Sequence, residues 1–457
     1  MSAATAALGA EESGRLNATY ADVLGVHRRQ FLWPVGLVVL VVAYLSYAFF
    51  AFDIPDLIAK SRLDRGILLG LDSVAYKVHV EKNLRRDLFE VAVEGERTAT
   101  YDEAALPDWV TVTGPNGYEG RVDIEMSGGY RFTIEGESLT VTGPGLSTPF
   151  VATAGGEELV WSGDVPAWVD LDPRKIEVRP TLFDRVQVTS GRILVFRYFW
   201  GWEDFWFDFR SPLNGASLGE LWTLAWSDER IDPEMSNAAF IFSEFWGNEG
   251  WQHGDVFKAL LETVIMAFLG TVVAAFVGLP LAFLAAANFN PEPVSRFLIR
   301  RFFDFVRGID TLIWSLIFIR AFGLGPLTGV MAIALTDTGT LGKLFSEAIE
   351  NVDNKQVEGM QSTGASALTR YRFGVIPQIL PVFISQSLYY LESNTRSATV
   401  IGALGAGGIG LKLVETLRTG KDWENTLYII ILTLLVVIGM DIMSGWLRRK
   451  LTGTGRD

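Results

Sequence analysis

The sequence predicts a polytopic α-helical membrane protein that carries a β-rich domain outside the membrane. The chain of 457 residues is 49% hydrophobic and 20% charged, an average too apolar for an ordinary soluble protein. Several apolar runs reach the roughly 20 residues that a membrane helix needs. One long segment, residues 53–250, has instead the short alternating runs and turn residues of β-structure.

The negative charge of the chain is concentrated in that segment. Residues 53–250 hold 34 acidic and 18 basic side chains, whereas the rest of the chain holds 19 acidic and 21 basic ones. An acidic surface disfavours nucleic acid, so no such partner is expected. The chain has no cysteine and three widely spaced histidines, so we expect neither a metal site nor another cofactor.

Six apolar stretches are candidate membrane helices. The first, 31–52, is interpreted as an uncleaved anchor behind a polar tail of residues 1–30. The other five lie in a core over 255–450, at Val264–Ala287 (interrupted at Gly278-Leu279-Pro280), Phe303–Phe322, Leu327–Phe345, Ile376–Ile401 and Leu427–Trp446.

Basic residues in the short loops set the orientation, because they favour the cytoplasmic side. Arg28 and Arg29 place the N-terminus in the cytoplasm, so residues 53–250 lie outside. The basic residues of 347–375 and of the tail Arg448–Lys450 then lie inside. Six helices with both termini in the cytoplasm are therefore expected.

The outer segment is predicted to hold a β-rich domain over about 75–190, led in by a helix over 54–70. Turn signals such as those at 114–117, 128–129, 143–145 and 155–156 separate its strands. Strand-type alternation recurs at Phe89–Val93, Trp109–Thr113, Tyr130–Glu135, Ser138–Thr142, Arg174–Val178 and Arg185–Val188.

Tryptophan is concentrated at the end of the outer segment. Nine of the 14 Trp lie between Trp161 and Trp251, most densely around 198–207. Trp and Tyr favour the membrane interface, so we expect 195–250 to pack on the outer leaflet or on the helices below it. An aromatic core of the β-rich domain and a ligand-stacking site are the alternatives.

Residues 347–375, here called the hook, combine two short helix signals with a glycine between them. Gly364 permits a bend and a close approach of backbone. Pro377 can open the next membrane helix, because the N–H that it lacks is unpaired at a helix start. An exposed element of this kind beneath a membrane bundle suits docking to another protein.

The hook resembles the EAA loop of ABC-importer permease subunits, in which Glu-Ala-Ala precedes three residues, a Gly and a downstream Leu-Pro. Residues 313–335, 342–350 and 392–410 resemble the phosphonate/phosphite/phosphate branch of these permeases, in a long variant with a periplasmic insert. The loop positions in register are Glu358, Gly359-Met360 in place of Ala-Ala, Gly364, and Ile376-Pro377.

The resemblance implies a type I ABC-importer permease fold in a bacterial inner membrane. A second permease subunit (a copy of this chain or a short paralogue), two ATPase subunits and a periplasmic solute-binding protein are implied as partners. Phosphonate or a related phosphorus oxyanion is then moved by alternating access. The implied ATPase-coupling residues are Glu358, Gly359, Met360, Gly364, Ala365, Ser366 and Pro377.

Charged residues within the apolar stretches are costly in a membrane and need a partner or water. Arg307 and Asp310 are three apart on the predicted third membrane helix, and Glu392 and Arg396 are four apart on the fifth. They form ion pairs that lock the bundle, or they supply positive potential to an anion. The predicted path and gate residues are Arg307, Asp310, Glu392, Asn394, Arg396, Gly405, Gly407 and Gly408.

Two further points bear on function. The glycine-rich stretch Gly402–Gly410 has no strand before it and no Lys-Ser/Thr after it, so it is interpreted as a hinge or outer gate rather than a nucleotide loop. No nucleotide-binding motif occurs, so the chain is not expected to be an enzyme. The alternative is a membrane-anchored periplasmic receptor or assembly protein, although the longest inner segment, about 29 residues, is short for an output domain.

Overall fold

The computed structural model describes residues 9, 15, 21–60, 63–86, 88–94, 99–102, 105–113, 120–154, 158–419 and 423–452. Most of the predicted tail 1–30 and the turn signals at 114–117 and 155–156 lie outside these residues. The chain divides into two units, Met1–Leu68 and Leu69–Asp457.

The N-terminal unit is helical. Helix α1 is Ala21–Ala51, so the predicted anchor 31–52 forms the second part of a longer helix. The helix predicted over 54–70 is instead divided into α2, Ile54–Ala59, and α3, Leu63–Val74, whose C-terminal half belongs to the second unit.

The described residues of the outer segment form two six-stranded antiparallel sheets. The strands are β1 Ala75–Asn83, β2 Leu88–Val93, β3 Val110–Thr113, β4 Arg121–Glu125, β5 Arg131–Glu135, β6 Ser138–Thr142, β7 Phe150–Thr153, β8 Val160–Ser162, β9 Val169–Asp172, β10 Lys175–Thr181, β11 Asp184–Thr189 and β12 Arg192–Trp200. Their order is β2-β1-β12-β11-β10-β9 in the first sheet and β3-β4-β5-β6-β7-β8 in the second.

The two sheets share one apolar core, which confirms the predicted β-rich domain. Strand β5 shows how the alternation builds it: Phe132 and Ile134 are buried, whereas the side chains on either side of them turn outward. The six strands predicted from alternation each begin within one residue of an observed strand. The other six strands are not among those predictions, although β4 has the same alternation of buried and outward side chains as β5.

The sheet extends into the aromatic segment that the sequence assigned to the membrane side. Residues 195–200 form the second half of β12, which pairs with both β1 and β11. Phe196 and Tyr198 are buried against Leu71 of α3, on the face opposite the shared core. A strand buried on both faces needs apolar side chains at nearly every position. The sequence of β12 therefore shows no alternation of apolar and polar residues by which it could be recognised as a strand.

Two short helices follow the sheets. Helix α4 is Leu218–Ala225, and its capping box joins Ser217 and Glu220. Helix α5 is Asn237–Trp246. Trp222 of α4 and Trp226 directly after it are about 70% exposed, so an apolar face at this helix has no partner among the described residues.

The rest of the chain is a helical core. Helices α6, His253–Ala285, and α9, Pro326–Glu350, form its most extensive contact. Glycines allow their backbones to come close, because a Cβ on Gly270 would lie 2.6 Å from Ile333 Cγ2. The elements are α6 His253–Ala285, α7 Pro293–Gly308, α8 Thr311–Phe322, α9 Pro326–Glu350, α10 Asn354–Ser362, α11 Ala367–Arg370, a π-helical turn Tyr371–Val375, α12 Ile376–Ile401, a second π-helical turn Gly402–Ala406, α13 Gly408–Thr419 and α14 Trp423–Thr452.

Two predicted helix boundaries in the core are wrong. Helix α6 continues through Pro280, because a proline removes one backbone hydrogen bond and a packed apolar helix tolerates that loss. The stretch Phe303–Phe322 is divided between α7 and α8. Asp310 causes this break by capping α8, since its carboxylate accepts a hydrogen bond from the Leu312 amide at 2.8 Å.

Among the described helices, three are long and apolar enough to cross a membrane: Trp33–Ala51, His253–Ala285 and Trp423–Leu451. The helical stretch Tyr371–Ala406 and α13, bent by 58° against each other, count as a fourth if they form one span. The predicted six spans are therefore not confirmed.

An aromatic junction connects the outer segment to the helical core. Trp202 and Phe205 follow β12, Trp251 and His253 lie at the start of α6, and Tyr428 lies in α14. The ring centroids of Phe205 and Trp251 are 4.8 Å apart, and those of His253 and Tyr428 are 5.4 Å apart. The outer segment thus packs directly on the helical core, which is one of the positions expected for the tryptophan-rich region.

Candidate functional site

The hook has the helix–glycine–helix geometry that its sequence predicts. Asp353 caps α10, because its carboxylate accepts a hydrogen bond from the Lys355 amide at 3.0 Å. The Asp353 amide donates to Gln378 Oε1 at 3.0 Å, and Gln378 Nε2 donates to the Gly374 carbonyl at 2.6 Å. The start of α10 is therefore fastened to the first turn of α12.

Gly364 supplies a bend but no close approach. Its φ of +76° lies in the left-handed region, which favours glycine. A Cβ at Gly364 would meet no atom of the described residues within 4 Å, so no close approach is made within this chain, and an approach by a partner stays a prediction. At Gly374 a Cβ would lie 3.5 Å from Val357 Cα, an ordinary van der Waals contact.

One face of the hook packs on the bundle. Val357 and Tyr371 rest on a core cluster that includes Phe345 of α9 and Ile379 of α12. The ring centroids of Tyr371 and Phe289 are 4.2 Å apart. These contacts hold the hook against the ends of three core helices.

The opposite face of the hook is open. Glu358, Gly359, Gly364 and Ser366 are exposed, and Met360 and Ala365 are half-buried. Pro377 lies in the first turn of α12 and is also exposed. All seven predicted coupling positions are thus accessible to a partner in this chain, and their role stays a prediction.

A second connection, which we name the clasp, ties the end of α9 to the turn between α6 and α7. Glu350 accepts a hydrogen bond from the Ala287 amide at 2.6 Å and forms an ion pair with Arg300. Arg300 Nε donates to the Ala285 carbonyl at 3.0 Å. Sequence reasoning missed the clasp, because its members are up to 65 residues apart and no local spacing relates them.

A polar trio lies buried in the middle of the bundle. It consists of Thr271 on α6, Asp337 on α9 and Asn394 on α12, each at most 6% exposed. Asn394 Nδ2 donates to Thr271 Oγ1 at 2.8 Å and also to Asp337 Oδ2. The trio satisfies polar groups that would be costly in an apolar interior and fixes three helices relative to one another.

The charged pairs predicted for the path are arranged differently. Arg307 does not pair with Asp310, which caps α8, but with Asp304, one turn earlier, at 3.2 Å. Glu392 and Arg396 form the predicted ion pair within α12, at 3.3 Å. The structure therefore brings Asn394 into the polar trio and leaves Arg307 and Arg396 in separate ion pairs.

The glycine-rich stretch is a tightly packed turn between α12 and α13. Gly405, Gly407 and Gly408 all have φ between +67° and +115°, as glycine allows. A Cβ on Gly410 would lie 1.9 Å from the Thr399 carbonyl oxygen, and the Ile409 amide donates to Thr263 Oγ1 at 2.9 Å. Close contacts at these glycine positions leave no room for a side chain, and this explains why glycine recurs in the stretch.

Comparison with known proteins places the helical core in a family. The profile described as "Binding-protein-dependent transport system inner membrane component" matches residues 278–453. The chain is 39% identical, over 43% of its length, to the phosphate-import permease protein PhnE of Mycolicibacterium smegmatis, and this match spans 37% of that relative's own length.

Two more similarities concern the same region. The phosphite transport system permease protein PtxC of Stutzerimonas stutzeri is 36% identical over 45% of this chain and 73% of its own length. A solved structure of inward-facing conformations of the MetNI methionine ABC transporter aligns at 17% identity over 43% of this chain and 96% of that chain, with a TM-score of 0.39. On the strength of the family profile and the coverage of PtxC, the chain belongs to the binding-protein-dependent transport system inner membrane components.

Proposed function

We propose that the chain is the membrane-spanning subunit of an ABC importer for phosphonate or a related phosphorus oxyanion. Similarity to permeases whose names specify phosphate import and phosphite transport supports the substrate class. Six membrane helices with both termini in the cytoplasm are consistent with the basic residues of the short loops. The hook then lies on the inner side and residues 53–250 lie outside.

The observation that carries the proposal is the open face of the hook. Val357 and Tyr371 secure one side of the hook on the bundle, while Glu358 and Gly359 face outward. An ATPase subunit bound to that face can pull on α12 through the Asp353–Gln378 contact. The second permease subunit is another copy of this chain or a short paralogue, and it supplies a second hook. Each of the two ATPase subunits would act on one hook.

The inside of the bundle offers elements of a path and a gate. The polar trio and the Glu392–Arg396 pair place polar groups on α12 at membrane depth, where ionisable residues serve transport paths. The turn at Gly405–Gly408 bends the chain by 58° before α13 and serves as the outer gate. A periplasmic solute-binding protein delivers the anion on this side, and the exposed tryptophans at α4 rest on the outer leaflet.

Uptake by reconstituted complexes tests the proposal. Proteoliposomes with this chain, its ATPase and its solute-binding protein should take up radiolabelled phosphite, phosphate or a phosphonate only when ATP is supplied. Labelled methionine serves as the control solute. Uptake of methionine without uptake of any phosphorus oxyanion would contradict the substrate class, and uptake without ATP would contradict the coupling.

A further inference from the structure

One carboxylate in the core is surrounded by three cations. Asp304 of α7 lies 3.1 Å from Arg301, 3.2 Å from Arg307 and 3.4 Å from Lys343. Two of these cations precede and follow it on α7, and the third comes from α9. We name these four residues the Asp304 cluster.

The Asp304 cluster carries an excess of positive charge. Three cations against one carboxylate leave a net charge of about +2. Two other carboxylates lie near this end of α9: Glu350 is engaged by Arg300 in the clasp, and Glu347 is exposed and forms no ion pair with the cluster. Across the part of the chain that the structure describes, no further ion pair engages Arg301, Arg307 or Lys343. Like charges held together are unfavourable unless an anion offsets them.

Donor groups and access are both available in the cluster. Two guanidinium groups and an ammonium group offer far more N–H donors than two carboxylate oxygens can accept. The side chains of Arg307 and Lys343 are 39% and 38% exposed, so a small anion can reach them from outside the packed core. Guanidinium groups match the oxygens of a tetrahedral phosphorus oxyanion in geometry.

The cluster lies between the two polar features described above. Lys343 precedes Glu350 of the clasp by seven residues, or about 10 Å along α9. Asp337 of the polar trio precedes Lys343 by six residues, or about 9 Å. In the proposed orientation, an anion that has passed the trio reaches this cluster before it reaches the inner end of the helix.

We propose that Arg301, Arg307 and Lys343, grouped around Asp304, form a binding site for a phosphorus oxyanion at the inner half of the permease. This inference rests on the proposed function and identifies a binding site for the transported anion within the permease. A transported anion and a phospholipid headgroup share this chemistry, but their charges differ. A dianion balances the net charge of about +2, whereas the phosphodiester of phosphatidylglycerol carries one negative charge.

Protection of Lys343 from chemical labelling tests the site. The full chain is placed in phosphatidylcholine nanodiscs and treated with an amine-acetylating reagent, and acetylation is read at each lysine by peptide mass spectrometry. Methylphosphonate is the probe, with chloride at matched ionic strength as the control salt. At about ten times the apparent Kd, mass action leaves roughly a tenth of the sites free, so acetylation of Lys343 should slow about tenfold.

Lys412 is the internal control, because it lies in α13 and contacts Gln252 at 3.2 Å, away from the Asp304 cluster. Its labelling should not change with methylphosphonate. Arg307→Gln should remove the protection of Lys343 while the labelling of Lys412 stays as in the unaltered chain, which shows that the variant is folded. Equal labelling of Lys343 with and without methylphosphonate would overturn the proposal.

Nanodiscs containing phosphatidylglycerol distinguish the two sources of phosphate. Slower labelling of Lys343 in these discs, without an effect of methylphosphonate in phosphatidylcholine discs, would assign the cluster to lipid and overturn the proposal. The uptake assay is independent of this result. Phosphite uptake with an unprotected Lys343 refutes the site alone, whereas a protected Lys343 without uptake of any phosphorus oxyanion refutes the proposed function.

Discussion

The Nδ1 atom of His253 lies 2.8 Å from the hydroxyl oxygen of Tyr428, and the Nε2 atom of the same ring lies 2.7 Å from the carbonyl oxygen of Phe205. A carbonyl can only accept, so Nε2 carries the proton and, in the neutral ring, Nδ1 accepts from Tyr428. One imidazole therefore joins the segment after β12 to the beginning of α6 and to α14.

Removing the Tyr428 hydroxyl should loosen this junction. Tyr428→Phe leaves a buried ring nitrogen without its donor, a loss worth about 1–3 kcal/mol. Amide hydrogen exchange of residues 202–207 should accelerate accordingly. Tyr389→Phe is the matched control, because Tyr389 is half exposed on α12. Unchanged exchange in Tyr428→Phe would show that ring packing alone holds the junction.

The junction should also respond to pH through Glu203. Burial raises the pKa of the Glu203 carboxyl, and a hydrogen bond from Tyr76 opposes this effect. Because the folded state holds the proton more tightly than the unfolded state, the stabilisation is complete at low pH and is lost as pH rises through the raised pKa.

Glu203→Gln should therefore raise the thermal midpoint of the purified protein at neutral pH and change it less at about pH 4, near the ordinary pKa of a glutamate. Exposed Glu249→Gln is the control and should show no such trend. A gain that is independent of pH would mean that the ionisation of Glu203 is not coupled to folding.

Replacing Gly364 should uncouple the hook. Gly364→Val forces a β-branched residue into a left-handed conformation, which costs about 1–2 kcal/mol, and places a side chain where a partner is proposed to bind. Uptake and transport-coupled ATPase activity should be lost while membrane insertion is retained.

Gly136→Val is the matched control for the hook. Gly136 also has a positive φ, +56°, and open space around its Cβ position, but it lies in the turn between β5 and β6. The strain is comparable and the location is remote from the hook. Equal loss of uptake in both variants would attribute the effect to strain rather than to docking.

The polar trio should behave as one unit. Asn394→Leu leaves the Asp337 carboxylate buried without its donor. Asp337→Leu removes one of the two acceptors of the Asn394 amide, which keeps its bond to Thr271. Each change should lower the thermal midpoint. The double variant should lose less than the sum of the two, by a coupling of about 0.5–3 kcal/mol. Additive losses in this cycle would show that the two side chains do not depend on each other.

Gly410, in the first turn of α13, should tolerate no side chain. Gly410→Ala brings a Cβ to within 1.9 Å of the Thr399 carbonyl oxygen, so the turn must open or the protein must fail to fold. Folded protein recovered from membranes should fall sharply. Gly439→Ala in α14, where a Cβ meets nothing within 4 Å, should be neutral or slightly stabilising.

Local patterns in the sequence carry part of this architecture. Alternation located strands such as β5 and β6, and the spacing of Glu358, Gly364 and Pro377 located the hook. Each of these signals lies within one continuous stretch of the sequence, so it can be recognised without knowledge of the fold. Strand β12 escaped the alternation test because both of its faces are buried.

The rest of the architecture depends on contacts between residues that are far apart in the sequence. The clasp joins Arg300 to Glu350, and the polar trio joins Thr271 to Asn394 across 123 residues. Asp304 could be paired with Arg301 and Arg307 by helical spacing, but Lys343 joins it only through the packing of α7 on α9. Single-sequence reasoning has no access to such contacts, because they depend on how the helices are arranged.

Helix α6 has 33 residues and so measures about 50 Å from end to end. Its first residue, His253, sits in the aromatic junction, and its last, Ala285, is gripped by Arg300 of the clasp. If the proposed ATPase moves the hook, and the clasp with it, we expect α6 to transmit that movement to the aromatic junction and to the outer segment that packs there. On that proposal, a fluorophore on the exposed strand β8 should report ATP turnover from the side of the membrane opposite the hook.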